Sequence, residues 1–456
     1  MRKVKNCQRL VLGGLALIAL AASSAGAAPR TGYAPPLPAG VDLSKALTLN
    51  DCVQIALRQS PTLAATADQI IQAQAGVTQA RAALLPALSL NWDVIASKPL
   101  PSSNSTTFGS SGQRTTRDLF LQLSQTFYQG GLPEQIGAAQ ASATASRWAL
   151  QDSRRLLVLS VAISYYNELA AAGLAEVAQR AVKTSTQHLD AANARIEAGT
   201  AARSDRFQFE VELQTALVAA IAANNQVKTS LNDLKLAMGL PAEAPVKLAD
   251  ALSRPALPTD TEDLKQQAYL HRTDVQRLVA LRESARLNMK VSQIQAGPVL
   301  TLSGTTDWGM HTNDVTGDSW QVQAGVAMPI FDAGLTRSRV DSNRAALDQA
   351  DQALRQAELS ISHDLDTNYA TAVQTNAGID AANASVEAAR VNLAAQQERY
   401  LAGVATVIDV TDAEQSLRSA EANQVQSLYN YNTALAALSA AQGQSVVPGI
   451  DLTRLP

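Results

Sequence analysis

The chain has 456 residues, 46% of them hydrophobic but only 4% aromatic, and a formal net charge of −3. That balance argues against a nucleic-acid partner. The apolar content is carried mainly by Ala, which favours helices and lets them approach closely, so thin helix seams fit better than one thick core. Residues 1–27 read as a secretory signal peptide. Arg2, Lys3, Lys5 and Arg9 form the charged region, Leu10–Ala22 is apolar, and Ala25-Gly26-Ala27 offers small residues for cleavage. The apolar stretch is shorter than the roughly 20 residues a spanning helix needs, and no later run reaches that length without polar interruption. Cys7 would leave with the signal, and Cys52 would remain alone as a half-buried helix residue, so no intramolecular disulfide is expected. Leu49-Asn50-Asp51 before Cys52 is not a lipoprotein signal, and no lipid anchor is expected.

Residues 28–47 are Pro-rich and read as an extended lead-in. A first structural repeat then spans 48–239. Thr48 or Asn50 caps a short helix, Ser60-Pro61 interrupts it, and a second helix runs from about Thr62 to Leu85, before Pro86. The period next changes to two. Leu88, Leu90, Trp92 and Val94 alternate with polar residues (strand about 87–96), and Leu119, Leu121 and Leu123 do so after a polar loop at 102–116 (strand about 117–128). From Pro133 to Ala198 the pattern is helical, with Val182, Leu189 and Ile196 seven apart as in a coiled coil. At 1.5 Å per residue this helix is about 100 Å long. Gly199 turns the chain, and a helix returns over about 204–238.

Residues 240–262, with four prolines, read as a linker. A second repeat over 263–443 follows the same order: one helix from about Leu264 to Ala296, strands at about 299–309 and 319–330, a long helix at about 335–401, a Gly403 turn and a return helix at about 407–441. Residues 444–456 form a tail. An offset of 204 superposes Arg195 on Arg399, Gly199 on Gly403, Asp205 on Asp409 and Leu213 on Leu417. Such a self-match marks two copies of one architectural unit.

Four strands of about 10 residues suit transmembrane β-strands, and Trp92, Trp308 and Trp320 suit an aromatic girdle. The polar phase puts Asn91, Asp93, Gln122, Gln321 and Gln323 on a water-filled lumen. A membrane sheet must close, and four strands are too few for a barrel, so several chains must share one. Helices of about 100 Å exceed a bilayer and must project into the periplasm.

The run Arg399-Tyr400-Leu401-Ala402-Gly403-Val404-Ala405-Thr406-Val407-Ile408-Asp409-Val410-Thr411-Asp412, with Pro-Ile-Phe-Asp-Ala-Gly at 329–334, resembles the TolC-type outer-membrane efflux protein family over nearly all of the mature chain. The resemblance implies an α+β membrane protein: a homotrimer whose twelve-stranded transmembrane β-barrel, four strands per chain, is continuous with an α-helical coiled-coil periplasmic tunnel. It implies outer-membrane lipid around the barrel, a periplasmic membrane-fusion adaptor, an inner-membrane pump of RND, MFS or ABC type, no cofactor and no chemistry. Export would carry drugs, metals or other toxic compounds from a Gram-negative cell. The alternative is the outer-membrane component of a type I protein-secretion system.

Asp409 and Asp412 share one helix face, and in a trimer they become stacked carboxylate rings that select cations. The resemblance puts the periplasmic gate there; the plainer reading is that Asp409 caps its helix. The resemblance also makes Asp205 and Tyr400, with Ser204 and Arg203, a tip clasp, while Tyr400 equally fills a heptad core position. Ala405 stands where some family members carry a basic residue. The turns Ala198-Gly199-Thr200 and Ala402-Gly403-Val404 read as adaptor-docking sites. His188, His271, His311 and His363 lie on different elements with no metal-ligand spacing. No phosphate loop, nucleophile elbow or zinc motif is present. A coiled-coil adaptor would show one hairpin flanked by β-rich domains, where this chain has two hairpins and two strand pairs.

Overall fold

The computed structural model of the protein describes residues 43, 45–97, 114–200, 202–258, 261–308 and 318–447. The signal peptide, most of the Pro-rich lead-in, most of the two polar strand-connecting loops and the end of the tail lie outside the described residues.

The elements follow in the order β1 (Ala46–Leu47), α1 (Leu49–Gln59), α2 (Pro61–Ala82), β2 (Ala87–Ser97), β3 (Arg114–Gln129), α3 (Leu132–Glu197) and α4 (Arg203–Met238). The second half holds β4 (Lys247–Leu248), α5 (Thr261–His271), α6 (Thr273–Ile294), β5 (Val299–Trp308), β6 (Asp318–Ala327), α7 (Leu335–Leu401) and α8 (Val407–Ala441). Thr48 caps α1 through a capping box with Asp51, and Ser60 caps α2, with Pro61 at its first turn. The helices α3 and α7 are 66 and 67 residues long.

Several sequence expectations need correction. The helix expected to reach Leu85 stops at Ala82, three residues sooner; Leu84 and Leu85 close tighter turns onto Arg81 O and Ala82 O, both at 3.0 Å, before Pro86. β3 is 16 residues long rather than about 12, and β6 ends at Ala327, before Met328-Pro329. The linker is not bare: β4 pairs in parallel with β1, and Val246 enters the core. The single helix expected at 264–296 is two, α5 and α6, broken at Arg272. The break has the same backbone as the Pro-directed one, φ −68° and ψ 116° at Arg272 against φ −64° and ψ 118° at Ser60. No proline signals it; tertiary contacts impose it. α3 also holds an 18-residue stretch apolar enough to cross a membrane by composition, short of the roughly 20 uninterrupted residues of a spanning helix. That apolarity serves packing, since α3 sends Val158, Val161 and Tyr165 into the core.

The two repeats build two related cores. The first joins Cys52, Val53 and Ile55 of α1 to Val161 and Tyr165 of α3 and Leu234 of α4. The second joins Ala268 of α5 to Ile361 and Leu365 of α7 and Leu438 of α8. Val161 and Leu365, like Leu234 and Leu438, are related by the 204-residue offset. Cys52 is fully buried rather than half-buried, and burial pushes its thiol up to about 12, so it is not a nucleophile at neutral pH. Tyr165 donates a 2.6 Å hydrogen bond to Asp250 and Tyr431 one of 2.6 Å to the Pro255 carbonyl, which straps the linker across both cores.

The four long strands form one antiparallel sheet in the order β2-β3-β5-β6, so the two hairpins join through β3 and β5. The register places Leu88 opposite Leu123, Leu90 opposite Leu121 and Trp92 opposite Leu119, and Leu300 opposite Val326. The resulting apolar face is exposed in the single chain: Trp92 is 70% and Trp320 79% accessible. Ser89, Asn91, Gln122, Ser303, Gln321 and Gln323 fall on the opposite phase, with Ile95, Phe120 and Val299 among its apolar exceptions. A slip of one residue would exchange the two faces, so the alternation fixes the register.

Candidate functional site

The candidate site lies where the two helical hairpins turn. At each turn a glycine adopts left-handed backbone, φ +76° at Gly199 and +75° at Gly403. The hydrogen bonds repeat position by position. Gly199 N–H donates to Ile196 O and Thr200 N–H to Arg195 O; Gly403 N–H donates to Tyr400 O and Val404 N–H to Arg399 O. This is the Gly-closed helix end that satisfies otherwise orphaned carbonyls. Ala198, Gly199, Thr200, Ala402, Gly403 and Val404 are all exposed.

The restarting helices differ between repeats, and the difference decides what each Asp does. Thr406 caps α8 in a full capping box: Asp409 Oδ2 accepts from Thr406 N–H and Oγ1–H at 2.7 Å each, and Asp409 N–H donates to Thr406 Oγ1 at 3.3 Å. These bonds hold the Asp409 carboxyl below the usual carboxylate range. The cap and an exposed carboxylate therefore coexist at Asp409, and Asp412, also exposed, lies beside it on the next positions of the helix. At the equivalent of Thr406 the first repeat has Ala202, which gives α4 no side-chain cap. Asp205 is thus released from capping. Its Oδ2 accepts from Tyr400 O–H at 3.3 Å and its Oδ1 from Ser204 O–H at 3.3 Å. The structure so brings together Tyr400, Asp205 and Ser204, tying the end of α7 to the start of α4. Arg203 is exposed and does not enter this group.

Tyr400 is held from three sides. The Arg195 guanidinium lies 4.8 Å from its ring centroid, and Phe209 meets it edge-on at 6.2 Å. Phe209 with Ala192 and Val407 forms a small buried cluster, so the heptad-core role of Tyr400 is real alongside its hydrogen bond. Burial and the Asp205 carboxylate raise the phenol's pKa and keep it a donor. A cleft of about 340 Å³ opens beside these residues, lined by His188, Arg195, Phe209, Gln397 and Tyr400 among others.

Behind Phe209 lies a constellation that sequence spacing did not reveal. His188 of α3 meets Phe209 edge-on at 5.4 Å, and its Nδ1 is 3.0 Å from Glu414 Oε1 of α8. Glu212 of α4 accepts from Ser185 Oγ–H and from Arg418 Nη2–H, at 3.4 Å each. Burial, together with the Glu414 carboxylate, pushes Glu212 up to about 8. The one available signal was a pair of glutamates on buried faces of the return helices. It was weak because His188 reaches Glu414 only across the seam between repeats. Further along that seam, Glu421 of α8 bridges Arg180 of α3 at 3.1 Å and Arg390 of α7 at 3.3 Å.

Residues 52–240 and 264–444 match the family model described as outer membrane efflux protein. The chain belongs to the outer membrane efflux protein family. It is similar to the pyoverdine export outer membrane protein OpmQ of Pseudomonas putida, 26% identical over 87% of this chain and 85% of that one. It is similar to the outer membrane protein TolC of Escherichia coli at 23% identity, covering 85% of this chain and 80% of that one. Among solved structures, the Campylobacter jejuni CmeC outer membrane channel superposes with a TM-score of 0.77 at 16% identity, over 89% of this chain and 88% of that one. VceC of Vibrio cholerae superposes at 0.73 and 20% identity, over 88% and 97%. The two matched family segments coincide with the two repeats. The expected TolC-like fold and outer-membrane location follow from this membership. As an outer membrane efflux protein the chain belongs to a family of channels.

Proposed function

We propose that the protein is the passive exit duct of a tripartite efflux system, passing small molecules such as drugs, metals or other toxic compounds from a pump to the outside. The observation that carries this reading is the four-stranded sheet, with an exposed apolar face, continuous with helices of about 100 Å. Such a sheet is stable in lipid only when its outer strands, β2 and β6, pair with other copies. Three chains give twelve strands, within the range of known barrels. A second seam fits the same homotrimer: Phe207, Val211, Val218 and Ile221 line one face of α4 and stay 62–70% exposed in the single chain.

In a trimer Asp409 and Asp412 form stacked rings of three carboxylates at the periplasmic gate. The Tyr400–Asp205 clasp, with Ser204 beside it, restrains the same tip. The exposed turns at 198–200 and 402–404 receive a periplasmic membrane-fusion adaptor, itself coupled to an inner-membrane pump of RND, MFS or ABC type. OpmQ, named for pyoverdine export, supports a small-molecule cargo over secreted protein.

Planar-bilayer recording tests the gate. Wild type is expected to show a small, cation-selective conductance, and Asp409→Ala with Asp412→Ala to lose that selectivity, because the rings supply the negative potential. Unchanged selectivity would move the gate elsewhere. Tyr400→Phe removes one hydrogen bond to a carboxylate while keeping the ring contacts with Phe209 and Arg195. We expect a larger mean conductance with an unchanged thermal midpoint to within the effect of one part-exposed hydrogen bond, about 1 kcal/mol. A conductance equal to wild type would assign Tyr400 to packing alone.

A further inference from the structure

We propose that His188 Nδ1, Glu212 Oε2 and Glu414 Oε1 bind one first-row divalent transition-metal ion, of which Zn²⁺ is the natural probe, and so staple the two hairpins of a chain just behind the tip. The three side chains come from α3, α4 and α8, so both repeats contribute. One ligand atom from each residue lies within 4.8 Å of the others. Nδ1, Oε2 and Oε1 are all shut off from solvent; Nδ1 and Glu414 Oε1 face each other at 3.0 Å, and Glu212 Oε2 has no hydrogen-bond partner. Glu212 and Glu414 are only 8% and 4% exposed. Buried polar atoms are nearly always satisfied, and a cation at the point where the three converge engages the unpartnered Glu212 Oε2 together with the other two.

The surrounding groups orient each ligand. His188 Nε2 lies 3.4 Å from the Gln397 side-chain amide. With the amide oxygen turned to the ring, Nε2–H donates there and the Nδ1 lone pair points inward, the usual support for a metal-bound histidine. Ser185 and Arg418 occupy Oε1 of Glu212 and leave Oε2 for the ion. Arg418 offsets one of the two carboxylate charges, so one negative charge remains to be met. The competing arrangement has protons on His188 Nδ1 and Glu212 Oε2, both donated to Glu414, and counting bound metal separates the two. A metal ion engages all three. One imidazole nitrogen and two carboxylate oxygens suit Zn²⁺ and its neighbours rather than Mg²⁺ or Ca²⁺, which take oxygen alone.

The test is equilibrium dialysis of the metal-stripped full chain in detergent against Zn²⁺, with metal counted per chain. One ion per chain is expected. His188→Gln and Glu414→Gln are expected to weaken binding at least tenfold, the range seen when such contacts are lost, while Glu210→Gln, an exposed carboxylate nearby, binds as wild type. Co²⁺ loaded into wild type should give visible absorption of low-coordinate nitrogen-ligated cobalt, lost in His188→Gln. Zn²⁺ bound equally by wild type and both ligand variants would assign the metal to surface carboxylates and overturn the site. So would a wild-type stoichiometry well below one. Should a Gln variant fail to fold, a wild-type cobalt spectrum showing oxygen ligands only would overturn it as well.

Discussion

Arg272→Ala is expected to destabilise the protein by about 3–5 kcal/mol, the usual cost of leaving a buried charge without its partner. Arg272 is 7% exposed at the α5–α6 break. Its Nε–H and Nη2–H donate to the two oxygens of Asp274 at 3.1 and 2.7 Å, and Nη1–H donates to Asp364 at 3.0 Å. Burial alone would raise the Asp274 pKa, but the paired guanidinium overrides it and holds the carboxyl below its usual range. Because the folded value is depressed, Asp274 contributes stability that is complete above the ordinary aspartate value of about 3.9 and is lost as pH falls through the lower folded value. Arg155 lies in the same junction, donating to the Ala440 carbonyl at 2.9 Å and to Asp152 at 2.8 Å, so α3, α6, α7 and α8 meet in one polar network. The measurement is the thermal midpoint by far-UV circular dichroism in detergent, at neutral pH and across pH 5 to 3, a range chosen around that ordinary value. Arg272→Ala should lower the neutral midpoint and flatten the acid-side fall. Arg272→Met with Asp274→Leu should recover part of the loss, since it removes the more buried of the two stranded carboxylates and leaves only the more exposed Asp364. An Arg272→Ala midpoint equal to wild type would refute the account.

Gly239→Val and Gly443→Val are each expected to cost roughly 3–5 kcal/mol, combining left-handed backbone strain with overpacking. Both residues have φ +74° and end a return helix. A Cβ on Gly239 would lie 2.8 Å from the Gln59 carbonyl oxygen and 3.0 Å from its carbon. A Cβ on Gly443 would lie 2.9 Å from the His271 carbonyl carbon and 3.0 Å from Arg272 N. Each glycine thus lets a return helix abut the helix break of its own repeat. Gly199 and Gly403 are the internal comparison. They share the positive φ, but nothing lies within 4 Å of an added Cβ. Gly199→Ala and Gly403→Ala should therefore cost only the conformational strain, about 1–2 kcal/mol. Parallel thermal melts of the four variants check this. Equal losses at all four positions would mean that close packing at the breaks contributes nothing.

The sequence by itself determined the duplication, the strand–helix order, the Gly turns and the apolar phase of the strands. Each is a local signal. The 204-residue self-match needs no partner to be visible, Leu88-Leu90-Trp92 alternate within one strand, and Pro61 dictates its own break. Tyr400 and Asp205 were legible through the resemblance carried by residues 399–412. What only the tertiary structure decided involves residues far apart in the chain. The break at Arg272 carries no local breaker; it exists because the Asp274 and Asp364 carboxylates and the close approach of Gly443 favour one extended residue over a continuous helix. The linker's pairing with Ala46–Leu47 joins segments about 200 residues apart, and two-residue strands leave no periodicity to read. Asp205 is free to accept from Tyr400 because Ala202 stands where the second repeat has a capping residue, a consequence visible only once Tyr400 is placed beside it. The His188–Glu212–Glu414 cluster was the least legible of all. Its members look like isolated polar residues on three helices, and only the packing of those helices around Phe209 removes them from water and turns them towards one another.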